Sequence, residues 1–135
     1  METSHTQVVI IGAGPAGLLL GQLLLKQGID HIIVELRSAE YVLGRVRAGV
    51  LEEPTVRALE EAGVNERMER ESLAMSGFNL MWEDRALHID FALVNKNTRV
   101  YGQTKITRDL MDARNAAGGI THYKVSDTQM HDFDT

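Results

Sequence analysis

The chain has 135 residues, of which 44% are apolar and 24% charged, the composition of one globular domain or part of one. Lys and Arg total 14 against 19 Asp and Glu, and the net charge of −5 argues against nucleic acid or an anionic membrane as main partner, since both call for a basic face. The sequence has no cysteine, which excludes disulfides, thiolate-held zinc or iron–sulfur clusters, a cysteine nucleophile and a dithiol redox pair. No stretch approaches the ~18–20 apolar residues of a membrane span. Residues 1–7 are polar, with Glu2 and His5, and do not make the basic start of a signal peptide. The expected location is the cytoplasm.

Val8-Val9-Ile10-Ile11 is an unbroken β-branched run, the pattern of a parallel strand buried on both faces. A glycine turn follows, and then residues 18–27, rich in Leu and free of β-branched side chains, favour helix. Pro15 suits the first helical turn, where its missing N–H costs nothing, and Gly28 is a helix stop. His31 to Glu35 reads as a second buried strand, which completes a βαβ unit. Residues 36–50 read as irregular. A helix is predicted over residues 54–62, ended by Gly63, and Asn65 is the expected cap of a short charged helix, Glu66–Glu71. Residues 78–82 and 86–89 read as a hairpin around Glu83-Asp84-Arg85, with Phe78 and Trp82 on one face as core residues. Residues 100–103 read as a short strand. A helix over residues 105–117 follows, with Ile106, Leu110, Ala113 and Ala117 as its buried stripe, and residues 120–125 form the last strand. There is no internal repeat, low-complexity tract or linker. The last strand looks like the first arm of a further hairpin, so the reading is of an incomplete domain. Its open sheet edge invites self-association.

Gly12-x-Gly14-x-x-Gly17 has the dinucleotide-binding spacing. In that motif the first glycine allows the tight turn, the second lets the backbone approach a pyrophosphate, and the third lets the helix pack close to the strand. The helix start, with Pro15 and Ala16, offers free N–H groups and a positive dipole end to phosphates. The spacing alone is weak evidence. Here a strand precedes it, a helix follows, and Glu35 ends the next strand 18 residues after Gly17, close to the ~20 expected for a ribose-binding carboxylate. Arg45 and Arg47 stand in Gly44-Arg45-Val46-Arg47-Ala48-Gly49, a loop that should pass beside the nucleotide. Arginine forks bind phosphate bidentately, and the competing reading is two surface arginines. The histidines His5, His31, His88, His122 and His131 show no metal-ligand spacing, so no metal is expected.

Three segments carry a resemblance. They are Val8-Val9-Ile10-Ile11-Gly12-Ala13-Gly14-Pro15-Ala16-Gly17, then Tyr41-Val42-Leu43-Gly44-Arg45-Val46-Arg47-Ala48-Gly49-Val50-Leu51-Glu52, then Tyr101-Gly102-Gln103-Thr104-Lys105-Ile106-Thr107-Arg108-Asp109-Leu110-Met111. Together they resemble the class A FAD-dependent aromatic hydroxylases, in their 4-hydroxybenzoate-hydroxylating branch, over residues 6–133. The first segment fits many FAD proteins; the second and third are narrower. The resemblance implies an α/β fold, a Rossmann-like FAD-binding βαβ domain with a small inserted β-hairpin. It further implies that residues 1–135 are the N-terminal FAD-binding domain, with the substrate domain absent.

The implied activity is hydroxylation of 4-hydroxybenzoate to 3,4-dihydroxybenzoate with O2 and with NADPH or NADH as reductant. The implied FAD contacts are Gly12, Gly14, Pro15, Ala16, Gly17, Glu35, Arg45, Arg47, Gly49, Val50 and Gln103; Arg37 and Tyr41 lie in the segment that reads the nicotinamide nucleotide. None of the implied catalytic residues falls within the chain, so it should be inactive alone. Two positions depart from the family pattern. Leu36 stands where an arginine is common, with Arg37 one place later, and Met75 stands where the family carries a proton-relay histidine. A thioether cannot shuttle protons. Two other readings stay open on the sequence: a catalytically silent nucleotide-binding fragment, and an NAD(P)-binding module of another oxidoreductase.

Overall fold

The computed structural model describes residues 3–132; Phe133, where the resemblance ends, lies outside them. In chain order the elements are β1 (Val8–Ile11), α1 (Pro15–Lys26), β2 (His31–Glu35), α2 (Ala39–Gly44), β3 (Val50–Glu52), α3 (Glu53–Ala62) and α4 (Glu66–Glu71). Then come β4 (Leu73–Met75), β5 (Gly77–Trp82), β6 (Arg85–Asp90), a 3-10 turn at Phe91–Val94, β7 (Thr98–Val100), α5 (Gln103–Ala116) and β8 (Ile120–Tyr123). β1, β2 and β8 form a parallel sheet with β2 in the middle, in register Ile10 to Ile33 to Thr121. β3, β7 and β4 form a small antiparallel sheet, and β5 and β6 a separate hairpin. The fold is mixed α/β.

The core lies where α1 packs on the sheet and against α3 and α5. Ile10, Leu18, Ile33, Leu59, Ile106 and Leu110 are buried there. α1 comes close because it carries glycine on its sheet face. A Cβ on Gly17 would stand 2.0 Å from the Gly12 carbonyl oxygen, and one on Gly21 would stand 2.9 Å from both Ile33 Cδ1 and Arg114 Nη1. Arg114 of α5 is 1% exposed and fastens this helix to the sheet. Its Nε donates to Thr121 Oγ1 at 2.8 Å, Nη2 to the Ile120 carbonyl at 2.6 Å, and Nη1 to His31 Nε2 at 2.6 Å. Burial pulls the arginine below its ordinary pKa.

Several elements differ from the sequence expectation, each for a tertiary reason. β1 is covered on one face only: Ile10 meets α1, while Val9 and Ile11 are 56% and 57% exposed, with no described element over them. Phe78 and Trp82 are 42% and 71% exposed instead of core, because the hairpin pairs with itself and its outer face meets no second layer. Phe78 does pack on Phe91, with ring centres 5.7 Å apart. Residues 36–50 contain α2, capped by Ser38, whose Oγ accepts from Tyr41 N–H at 3.2 Å. Asn65 makes no cap bond; its amide donates to Glu69 instead.

α1 starts at Pro15, as expected of the first helical turn. The expected strand over residues 100–103 ends at Val100, because Gly102 turns the chain into α5 and Gln103 opens that helix. The α5 stripe is broader than a single row. Thr107, Met111 and Arg114 join Ile106 and Leu110, since α1 and the sheet cover adjoining faces, while Ala117 is exposed beyond the helix end. β8 ends at Tyr123, ahead of Lys124 at φ 61°, and no strand follows it among the described residues.

The Gly17 contact yields a stability prediction. Gly17→Ala must push α1 away from the turn, and overpacking of this kind costs about 1–3 kcal/mol. A lowered urea midpoint with unchanged slope is the expected result.

Candidate functional site

The glycine turn is set by backbone contacts. Gly12 has φ 110°, a conformation that side-chain-bearing residues rarely adopt, and its N–H donates to the Val34 carbonyl at 2.8 Å. Gly14 is different. Its φ of −68° and ψ of 174° are open to any residue, and a Cβ built there meets nothing within 4 Å. The fold itself therefore gives no reason for glycine at position 14. Free space in front of its backbone is what a pyrophosphate would need, and a side chain would fill it.

Glu35, at the end of β2, holds this turn. Its Oε2 accepts from Ala13 N–H at 2.8 Å and its Oε1 from Arg37 N–H at 2.8 Å. A carboxylate oxygen has two acceptor positions, so each keeps one free for a hydroxyl donor. The turn at Arg37 leads into α2, where two guanidinium groups approach the Tyr41 ring, with Arg37 Cζ 5.3 Å and Arg45 Cζ 5.9 Å from its centre. The displaced arginine at position 37 thus still reaches this mouth, while Leu36 is exposed.

Eight of the expected site residues line one polar cleft of ≈ 160 Å³: Gly14, Pro15, Glu35, Arg37, Tyr41, Arg45, Arg47 and Gln103. Pro15 and Gln103 are shared with an apolar chamber of ≈ 330 Å³, lined also by Ala16, Ala48, Val50 and Thr55. Val50 is shared in turn with an apolar cavity of ≈ 540 Å³, bounded by Met75, Phe78 and Phe91 and edged by the Glu53–Lys96 pair at 2.7 Å. Lys96 holds the Glu53 carboxyl below its ordinary range. The three spaces adjoin through these shared residues and pass from charged to apolar lining, which suits a ligand with an anionic nucleotide at one end and an aromatic ring at the other.

Gly12, Gly17 and Gly49 do not line these spaces; they shape the backbone behind them. A Cβ on Gly49 would stand 2.6 Å from the Tyr101 carbonyl oxygen. The sequence reading passed over Ala48 and Thr55. Ala48 was discoverable from its place between Arg47 and Gly49, whereas Thr55 carries no local signal. Among the described residues no group of three or more His, Asp and Glu is placed to hold a metal ion, and no helix is long and apolar enough to cross a membrane.

The chain is 49% identical over 135 residues to p-hydroxybenzoate hydroxylase of Acinetobacter baylyi, a match covering 98% of this chain and 33% of that protein. It is 34% identical over 120 residues to the FAD-dependent monooxygenase pytG of Aspergillus terreus, covering 84% of this chain and 35% of that one. The chain thus spans about a third of the length of these curated relatives. Among solved structures, PqsL of Pseudomonas aeruginosa in complex with 2-aminobenzoylacetate superposes with TM-score 0.83 at 18% identity, over 96% of this chain and 36% of that one. The p-nitrophenol 4-monooxygenase PnpA of Pseudomonas putida gives TM-score 0.80 at 21% identity, over 98% and 35%. At such identities these two establish the fold alone. A model of the FAD binding domain matches residues 5–135, and the chain belongs to that FAD binding domain family.

Proposed function

We propose that this chain is the FAD-binding portion of a flavoprotein monooxygenase that converts 4-hydroxybenzoate to 3,4-dihydroxybenzoate, with NADPH or NADH as reductant. The observation that carries the reading is the gathering of Gly14, Glu35 and Arg45 in one polar cleft that shares Pro15 and Gln103 with the apolar chamber beside Val50. Similarity to p-hydroxybenzoate hydroxylase supports the choice of substrate. When bound, FAD supplies the redox chemistry: one NAD(P)H and one O2 are consumed, one oxygen atom enters the ring and the other leaves as water.

The chain's own residues bind and orient. Gly14 would give the pyrophosphate its approach, and the free amides at the start of α1 would donate to its oxygens. Glu35 takes ribose hydroxyls on its remaining lone pairs while it holds the turn through Ala13. Arg45 and Arg47 offset phosphate charge from the loop, and Gln103 supplies an amide where the polar and apolar spaces meet. Arg37 and Tyr41, at the outer mouth, meet the reductant. Val50 presents an apolar surface to the isoalloxazine end. Met75 faces the larger cavity without a transferable proton, so removal of the phenolic proton runs through other groups. As the N-terminal domain of a longer enzyme, the chain leaves the aromatic substrate to residues outside it.

Three outcomes follow. Gly14→Val fills the open space before the turn at no conformational cost, so the whole protein should fold with an unchanged melting temperature and purify without yellow colour. Full flavin content in that variant removes the turn from the site. Glu35→Gln replaces one amide acceptor by a donor and loses a charge-assisted acceptor worth ~1.5–3 kcal/mol, or ~10–150-fold in FAD affinity. A flavin titration of the apoprotein measures it. Lastly, the 135-residue chain alone is expected to release no 3,4-dihydroxybenzoate from 4-hydroxybenzoate, NADPH, FAD and O2, because oxygen activation needs a site closed to water. Chromatographic detection of the product from the isolated chain would refute that division of labour.

A further inference from the structure

Tyr101 lies between two parts of the proposed FAD site without lining any of its spaces. Its N–H donates to the Gly49 carbonyl at 2.7 Å. In the other direction, Gly49 sits so close to the Tyr101 carbonyl oxygen and to Gly102 Cα that a Cβ would stand 2.6 and 2.8 Å from them. From Gly49 the chain leads back to Arg47 and Arg45. From Tyr101 it leads through Gly102, the cap of α5, to Gln103, which lines both the polar cleft and the apolar chamber. The backbone of Tyr101 therefore sets the gap between the arginine loop and Gln103.

The side chain fixes that backbone. Tyr101 is 3% exposed, and its hydroxyl donates to Asp109 Oδ2 at 2.5 Å. Asp109 Oδ1 accepts from Arg67 of α4 at 3.3 Å. Arg67 also donates to Glu71 at 3.1 Å, Glu71 accepts from Lys105 at 2.6 Å, and Lys105 Nζ stands 5.7 Å from the Tyr101 ring centre. These five side chains close a ring that ties α4 and α5 to the end of β7. Burial, and then the Asp109 carboxylate, push the phenol well above its ordinary pKa, so it remains a hydrogen-bond donor.

We propose that Tyr101 is a positioning residue for FAD: its bond to Asp109 holds the arginine loop and Gln103 at the separation the cofactor requires. The inference rests on the FAD reading of the site. A hydroxyl-to-carboxylate bond away from water is among the stronger hydrogen bonds, and its removal by Tyr101→Phe leaves the ring, and hence the packing, in place.

The test measures FAD dissociation constants by flavin fluorescence, and apoprotein melting temperatures, for the native protein, Tyr101→Phe, Asp109→Leu, their double variant and the conservative Asp109→Asn. Tyr101→Phe and Asp109→Leu should each raise the FAD Kd about 3–30-fold. The double variant should bind no more weakly than the weaker single one, as expected when both remove one interaction. Asp109→Asn keeps an oxygen acceptor while losing the charge, and should stay within about threefold of native. If Asp109→Leu fails to fold, the other two single variants still decide the matter. An unchanged Kd in Tyr101→Phe overturns the proposal. So does a loss of affinity that simply follows the fall in melting temperature in every variant, Asp109→Asn included. A native apoprotein that takes up no FAD overturns the functional reading beneath it, before any variant is compared.

Discussion

The helix Pro15–Lys26 lies against the first strand so closely that one methyl group at Gly17 would stand 2.0 Å from a carbonyl oxygen of the turn. Much of the rest depends on this approach. It lets Leu18 reach full burial, brings Gly21 onto Ile33 and Arg114, and aims the amides at the start of the helix over the end of the sheet. A helix held farther out would leave a gap over Ile10. The same geometry that packs the core therefore builds the end of the molecule at which an anion can be bound.

The site is assembled from two regions that meet only in the folded state. The glycine turn and Glu35 belong to the parallel sheet, while the loop with Arg45 and Arg47 leads into the small antiparallel sheet. Glu35 closes the first region on itself, through Ala13 on one side and Arg37 on the other. Tyr101 joins the second region to Gln103. Both junctions use a carboxylate as acceptor, Glu35 for two backbone amides and Asp109 for a phenol and a guanidinium. Such bonds are directional as well as strong, and that combination sets distances more tightly than apolar packing can.

The apolar surface is unevenly covered. Val9, Ile11 and Ile120 lie on the face of the parallel sheet away from helix Pro15–Lys26, and the hairpin Gly77–Asp90 exposes Leu80, Met81, Trp82 and Leu87. Parallel sheets are ordinarily covered on both faces. Here the composition of the strand Val8–Ile11 matches full burial, while the described residues supply cover on one side.

What the sequence by itself determined is the local grammar. The run Val8–Ile11, the spacing of Gly12, Gly14 and Gly17, Pro15 at the helix start and Glu35 at the next strand end specify a nucleotide-binding βαβ unit, because each requirement there is local in the chain. The hairpin Gly77–Asp90 was legible for the same reason. Only the tertiary structure decided what depends on contacts between distant segments. Periodicity could not tell which face of β1 is covered, nor that Phe78 and Trp82 lie at a surface, because it reports that a face is apolar and not what meets it. Nor could it show that Arg114 is buried against the sheet, that Gly49 is glycine because Tyr101 passes beside it, or that Gln103 opens a helix instead of closing a strand. Those outcomes were set by which backbone came to lie within hydrogen-bonding distance of which other, and chain spacing carries no record of that.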